Sequence, residues 1–365
     1  MDNGLTAGAL FSNKSRTGKR VLLLGTGPLA QDLLREIRAR PQCHYMVIGI
    51  LSELPITQDL FLDYPVLGTF TDLQRVISEI EPDRVIVAPT RRRGHMPIHQ
   101  LIEAKICKGV TIEDGEEFYE QLTGQIAVQS LTPSSMIFSK DYRPGTVAPY
   151  ISRAMSLILA GIGLLVLAPL LVIIAIAIKI DSHGPVFFVQ DRVGLGGRQF
   201  KLLKFRTMHP VNKRVSEWVR DNGHRITRIG KCLRKYRLDE LPQFINVLLG
   251  DMNLVGPRPH PASNFELLVL VSRNTPECGG QIPYYSLRSL VRPGITGWAQ
   301  VRYRYANDIN EEIEKIRFDL YYVKHYSIWL DLLILFETIK VVVLGREAVE
   351  TGANNTGQTE TVQYK

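Results

Sequence analysis

Leu157 to Ile178 is an uncharged apolar run of about 22 residues, bounded by Arg153 before it and Lys179 after it. A helix of roughly 20 apolar residues crosses the hydrocarbon core of a bilayer, so no other stretch limits the fold as strongly. The run also carries Gly161, Gly163 and, near its middle, Ala168-Pro169. A proline there removes one backbone hydrogen bond and pushes against the preceding turn. The spacing therefore predicts a kinked helix that either crosses or turns back.

Ahead of the run, strand and helix patterns alternate. Lys19-Arg-Val-Leu-Leu-Leu-Gly25-Thr-Gly27-Pro-Leu-Ala30 reads as a strand, a glycine turn and a helix start. Further strands are expected near Tyr45–Leu51, Arg84–Ala88 and Val110–Glu113. These predict an α/β, Rossmann-like parallel-sheet domain over 19–131, behind a polar lead at 1–18 that lacks the pattern of a secretory signal. The Gly25, Gly27, Ala30 spacing matches a dinucleotide fingerprint, with Glu53 as the carboxylate for a ribose. Glu53 comes late, which favours a domain that packs, senses or forms a homodimer without a cofactor. Arg91-Arg92-Arg93 follows the third strand, as a polyanion patch or a solvated loop. Turn formers between Thr132 and Pro149 predict a linker over 132–149.

The chain of 365 residues is 45% hydrophobic, enough for two or three cored domains. Its formal net charge of +8 suits nucleic acid, anionic lipid or phosphorylated small molecules, and charge alone does not choose among them. Cys43, Cys107, Cys232 and Cys278 form no C-x-x-C pair, so neither a zinc site nor a disulfide framework is indicated. Between Asp181 and Glu240 there are fourteen Lys or Arg against six Asp or Glu. Pro185 to Met208 reads as two strands about a glycine-rich turn, a hairpin that can hold Lys204 and Arg206 on one face. Val211, Val215, Trp218 and Val219 then fall at helical spacing, on a helix that lies on membrane or packs on a core.

Asp239 and Glu240 stand among these cations. Pro242 is tolerated only in a helix's first turn, which predicts that the helix through Leu249 begins at or just before Asp239. At the positive end of the dipole, with Arg234 and Arg237 near in sequence, Asp239 should stay ionised, available as a magnesium ligand or a nucleophile. Glu240 points about 100° away and can do a different job. Simple N-capping by Asp239 is the plainer alternative.

From Ala148 to roughly Ala348 the chain resembles the monotopic phosphoglycosyltransferases, also called bacterial sugar transferases. The likeness rests on ordered motifs: the apolar segment with its proline, Gly184-Pro185-Val-Phe, Lys204-Phe-Arg-Thr-Met208, Leu238-Asp-Glu-Leu-Pro-Gln243, Gly256-Pro-Arg-Pro259 and Arg292-Pro-Gly-Ile-Thr-Gly-Trp-Ala-Gln300. The layout is similar to exopolysaccharide-initiating members with a Rossmann-like lead domain. The resemblance implies transfer of a sugar 1-phosphate from a UDP-sugar to undecaprenyl phosphate, with release of UMP and no nucleic-acid partner. It further implies Asp239 as nucleophile of a covalent phosphosugar intermediate and Glu240 as its partner in proton transfer or acceptor activation. Mg2+ would touch Asp239. Arg234 and Arg258 match phosphate- and donor-binding arginines, and Lys204 and Arg206 are weaker matches.

Such a reaction draws on a cytosolic nucleotide sugar, so both flanks of the apolar run should face the cytoplasm of a bacterial inner membrane. The expectation is a re-entrant helix over 150–180, broken at Ala168-Pro169, followed by a mainly helical α+β catalytic domain over 181–348. Ile328–Leu344, interrupted by Asp331, Glu337 and Lys340, is expected at the interface, and 349–365 as a disordered tail. Many relatives run Val-Asn-Gly-Arg after the Ala-Gln pair, where this chain has Val301-Arg302-Tyr303-Arg304, which leaves sugar preference open and offers Arg302 or Arg304 as a candidate phosphate contact. Relatives with this lead domain usually carry several membrane helices ahead of it, so the chain reads as a short member or a piece of a longer protein. Two other readings stand beside the enzyme: a membrane-attached nucleotide sensor or scaffold, and an NAD-dependent sugar-modifying enzyme.

Overall fold

The computed structural model describes residues 18–55, 60–89, 96–127, 147–210, 225–262, 285–303 and 309–344. The Arg91–Arg93 patch, the helix expected at 211–219, Arg304, most of the linker and the tail lie outside the described residues. The chain folds as two compact units, one before Leu131 and one after it.

The first unit comprises β1 (Lys19–Leu24), α1 (Pro28–Ala39), β2 (Tyr45–Ser52), β3 (Leu60–Phe61), β4 (Tyr64–Thr69), α2 (Leu73–Ile80), β5 (Arg84–Val87), α3 (Ile98–Cys107), β6 (Thr111–Asp114) and α4 (Gly115–Thr123). Its sheet runs β3-β4-β2-β1-β5-β6, parallel except for the antiparallel β3–β4 pair. The apolar stretch Val21–Leu24 of β1 is explained by burial on both faces. Val21 and Leu23 pack under α1 and α4, while Leu22 and Leu24 pack under α2 and α3. The glycine turn after β1 lies beside the end of β5. Gly25 has φ 121°, and a Cβ there would stand 2.1 Å from the Ala88 carbonyl oxygen. The close approach of the two strand ends therefore requires this glycine whether or not a phosphate binds. Glu53 follows the last residue of β2.

The second unit opens with α5 (Ala148–Asp181), followed by the antiparallel hairpin β7 (Phe187–Val193) and β8 (Gln199–Phe205), then α6 (Arg228–Lys235) and α7 (Gln243–Leu249). A small parallel pair, β9 (Asn253–Val255) and β10 (Gly294–Thr296), precedes α8 (Trp298–Arg302), α9 (Ile309–Lys324) and α10 (Ile328–Leu344). The apolar run thus sits in a helix of 34 residues with Pro169 inside it. The helix is uninterrupted, so the structure does not display the expected turn-back. Only 11% of its most apolar stretch is buried, which leaves an extended greasy face uncovered by protein.

Both ends of α5 are tied to this same unit. Ser152 Oγ donates to Asp331 Oδ2 at 2.6 Å, and Arg153 donates to the carbonyls of Val247 and Met252 at 2.8 and 2.7 Å. At the other end Asp181 accepts from the Ile229 amide at 3.1 Å. Between them Gly163 faces Phe244, where a Cβ would meet the ring at 2.8 Å, and Ile174 and Ile178 pack on Phe205 and Leu233. Asp331, which reads in sequence as an interruption of an interfacial helix, is fully buried and also accepts from Tyr322 Oη at 2.7 Å. The opposite face of α10 exposes Trp329, Leu333, Phe336 and Ile339.

Candidate active site

The site is built where α6 ends. Arg237 adopts φ 55°, ψ 22°, a left-handed conformation that costs a non-glycine residue roughly 1–2 kcal/mol. It reverses the chain into a 3-10 turn, Leu238–Glu240, that leads through Leu241 and Pro242 into α7. The regular helix therefore starts at Gln243, later than the sequence predicts, because Pro242 is its N-cap and the carboxylates occupy the tighter turn before it. Asp239 and Glu240 are both buried, at 9% and 7% exposure.

The two carboxylates have different partners. Glu240 Oε1 accepts from Arg258 Nη2 at 2.8 Å, and Glu240 Oε2 lies 3.5 Å from Arg237 Nε. Burial pushes the Glu240 pKa up, but Arg258 and Arg237 outweigh it and hold the group well below the usual carboxylate range. Asp239 makes no hydrogen bond or ion pair among the described residues. Burial, reinforced by the negative Glu240 beside it, pushes the Asp239 pKa up, against the pull of Lys204, Arg234 and Arg258. At about 6 the group is still mostly ionised at neutral pH, as expected, but burial sets its value, while Arg234 and Arg258 pull it down and Arg237 acts on Glu240.

Cations surround the pair. Lys204 stands on β8, its Nζ 4.9 Å from the centre of the Phe188 ring. Burial, then Arg192 and Arg258, pull the Lys204 pKa down to about 8, while Asp239 raises it. Arg234 Nε donates to the buried Thr207 Oγ1 at 2.9 Å, which fixes its side chain within the field of Asp239. Arg258 is held from behind: Arg288 Nη2 donates to its carbonyl at 2.8 Å and pairs with the buried Asp319 at 2.5 Å. A buried carboxylate without a donor, ringed by ammonium and guanidinium groups, can attack an electrophile whose own charge the cations offset.

The sequence profile of the family described as Bacterial sugar transferase matches residues 147–345. The chain belongs to the bacterial sugar transferase family. A UDP-N-acetylgalactosamine-undecaprenyl-phosphate N-acetylgalactosaminephosphotransferase of Aeromonas hydrophila is 39% identical over 231 residues, which cover 63% of this chain and 52% of that protein. A UDP-glucose:undecaprenyl-phosphate glucose-1-phosphate transferase of Escherichia coli K12 is 43% identical over 192 residues, 52% of this chain and 39% of the relative. Its namesake in Klebsiella pneumoniae is 34% identical over 339 residues, 88% of this chain and 67% of the relative. The chain thus spans about half the length of the curated relatives it matches.

In this sugar transferase Asp239, Glu240, Lys204, Arg234 and Arg258 converge as a single cluster. Arg206 does not join it as the hairpin reading expected. It lies one residue past the end of β8, is 5% exposed, and donates to Ser182 O, Ser182 Oγ and His183 O at 2.7, 2.9 and 2.7 Å. Both terminal nitrogens of its guanidinium bond the chain that leaves α5, which makes it a structural anchor. Arg302 is exposed and stacks on the Trp298 ring at 4.4 Å, with no ion pair to either carboxylate among the described residues. Arg192 belongs to the cluster yet is not singled out by the sequence, since nothing in its spacing distinguishes it from the other cations of this basic stretch, and Arg237, named for its nearness to Asp239, pairs with Glu240 instead.

Proposed function

We propose that this sugar transferase moves a sugar 1-phosphate from a UDP-sugar to undecaprenyl phosphate and releases UMP. The observation that carries the reading is the unpaired Asp239 carboxylate beside the saturated Glu240, within a ring of cations. The relatives' names describe transfer between the same two classes of substrate.

In the first step an Asp239 oxygen attacks the sugar-bearing phosphorus. The bond from that phosphorus to the bridging oxygen breaks, and its electron pair leaves with UMP. A phosphate oxygen of the lipid then attacks the same phosphorus, and Asp239 departs as a carboxylate. Two displacements mean that donor and acceptor need not occupy the site together. Lys204, Arg234 and Arg258 offset the phosphate charge. Glu240, held ionised by two arginines, has no proton to give near neutral pH, and it fixes Arg258 and Arg237.

The donor set fits Mg2+ that arrives with the diphosphate. The oxygens of Glu240 are taken by arginines, which leaves Asp239 as the one carboxylate, and magnesium is commonly held by one or two carboxylates plus substrate phosphates. Among the described residues no group of three or more His, Cys, Asp or Glu could hold a metal by itself. When bound, the ion supplies charge neutralisation on the diphosphate.

The membrane reading is a monotopic one at the cytoplasmic face of the inner membrane. α5 would enter and leave the bilayer on one side, bending at Ala168-Pro169. The hydrogen bonds that tie Ser152 and Asp181, at its two ends, to one folded unit support this. Cysteine labelling on either side of α5 should find both flanks in the same compartment. The catalytic reading is tested by Asp239→Asn, which should abolish UMP release from UDP-sugar, undecaprenyl phosphate and magnesium. Turnover like that of the wild type would instead favour a sensor or scaffold.

A further inference from the structure

We infer that Phe188, at the open end of the β7–β8 hairpin away from its glycine turn, forms the docking face for the isoprenoid chain of the acceptor, an inference that rests on the transfer reaction proposed above. Phe187, Phe188 and Val189 are 44%, 42% and 52% exposed, three consecutive apolar side chains on a sheet of only two strands. Successive strand residues point to opposite faces, so burial against the core on one side would leave every second position polar. This segment is apolar on both faces, and one of them adjoins the reactive cluster.

The register places Phe188 opposite Lys204. The Lys204 ammonium lies over the ring and within the field of Asp239, so one aromatic side chain separates open apolar surface from the candidate nucleophile. On the other face Phe187 stacks on the buried Phe205 at 5.4 Å, and Phe205 packs against Ile174 and Ile178 of α5. The open end of the hairpin is thereby tied to the helix that exposes Ile176 and Ile180 at 55% and 83%. Apolar surface that runs directly into a patch of cations is complementary to an amphiphile with a phosphate head and a hydrocarbon chain. A UDP-sugar has no such chain, whereas a polyprenyl phosphate has both parts. Phe188 touches Lys204, so chain and head would be bound in register, with the head beside Asp239.

The test compares undecaprenyl phosphate with methyl phosphate, which has a phosphate head and no isoprenoid chain, as acceptor for the full chain in detergent micelles, with Phe188→Ser and Phe188→Leu. The UMP released before acceptor is added counts the molecules with an assembled site, and rates are expressed per such molecule. Phe188→Ser should raise KM for undecaprenyl phosphate about tenfold, and for methyl phosphate by less than about threefold. Phe188→Leu, which keeps the apolar surface, should stay close to the wild type for both. Equal losses on the two acceptors, or none, would overturn the inference. A fall in vesicle binding with an unchanged acceptor KM would also overturn it, by assigning the ring to bilayer anchoring. No UMP from the wild type with any UDP-sugar would instead sink the transfer reaction itself.

Discussion

Arg258 Nη2 reaches Glu240 Oε1 at 2.8 Å and leaves the adjoining Asp239 without a donor. Two acidic residues in one 3-10 turn thus differ in charge environment because the 3-10 geometry aims their side chains apart, by about 120° at three residues per turn. One becomes the support for arginines and the other the exposed electron pair.

Removing the support should cost stability as well as turnover. Glu240→Gln leaves the partly buried Arg258 and Arg237 beside a neutral amide, and because both keep some contact with solvent the loss should fall below the about 3–5 kcal/mol of a fully buried pair. Denaturant unfolding should register that loss, and UMP release should fall with it as Arg258 loses its anchor.

The Asp239 carboxyl, raised to about 6 by burial and by Glu240, links activity and stability to pH with opposite signs. Activity needs the ionised form, so the rate should fall as pH drops through about 6. Stability runs the other way. Below the ordinary carboxylate range the group is protonated both folded and unfolded and costs nothing, and the cost grows as pH rises through the folded value. Asp239→Asn should therefore stabilise the inactive protein at pH 7–8 by on the order of 2 kcal/mol, a gain that vanishes near pH 4. Thermal melts of both proteins across pH check it.

Lys204 sets the alkaline side. With its pKa drawn down to about 8 by burial and by Arg192, its charge is lost at a pH where other lysines keep theirs. The pH profile of UMP release should fall above about 8, and Lys204→Arg, whose charge does not titrate there, should flatten that limb while the acid limb stays in place.

Arg206 offers a contrast between anchoring and binding. Its hydrogen bonds run to Ser182 and His183 at the exit of α5, and charged hydrogen bonds of this type are each worth about 1.5–3 kcal/mol. Arg206→Ala should lower the melting temperature and leave the donor KM of the surviving folded enzyme nearly unchanged, whereas Arg234→Ala should raise the donor KM.

The parts of this architecture that were legible in the sequence are those where chemistry repeats at short spacing. Val21-Leu-Leu-Leu24 reads as a strand buried on both faces, and the structure divides its residues between two core clusters. The run from Leu157 to Ile178 reads as a membrane-length helix, and the structure contains it within α5. What escapes is of two kinds. β4 carries Pro65 and Gly68, residues that weaken any strand signal, and forms because β2 offers it an edge. The pairs Arg258–Glu240 and Arg288–Asp319 join positions 18 and 31 residues apart, and only the folded chain determines which carboxylate each arginine takes. The same holds for Arg206. Its place next to Lys204 and Phe205 suggests a shared strand face, but the strand ends at Phe205 and the side chain turns back to Ser182.

The most direct test is to trap the phosphosugar on the protein. The 365-residue chain incubated with UDP-sugar and magnesium, without acceptor, should gain the mass of one sugar phosphate, release one equivalent of UMP and yield a labelled peptide modified at Asp239. Undecaprenyl phosphate should then discharge the label, and Asp239→Asn should never acquire it. A label on any other residue, or UMP formed only when both substrates are present with no adduct detected, would contradict the account.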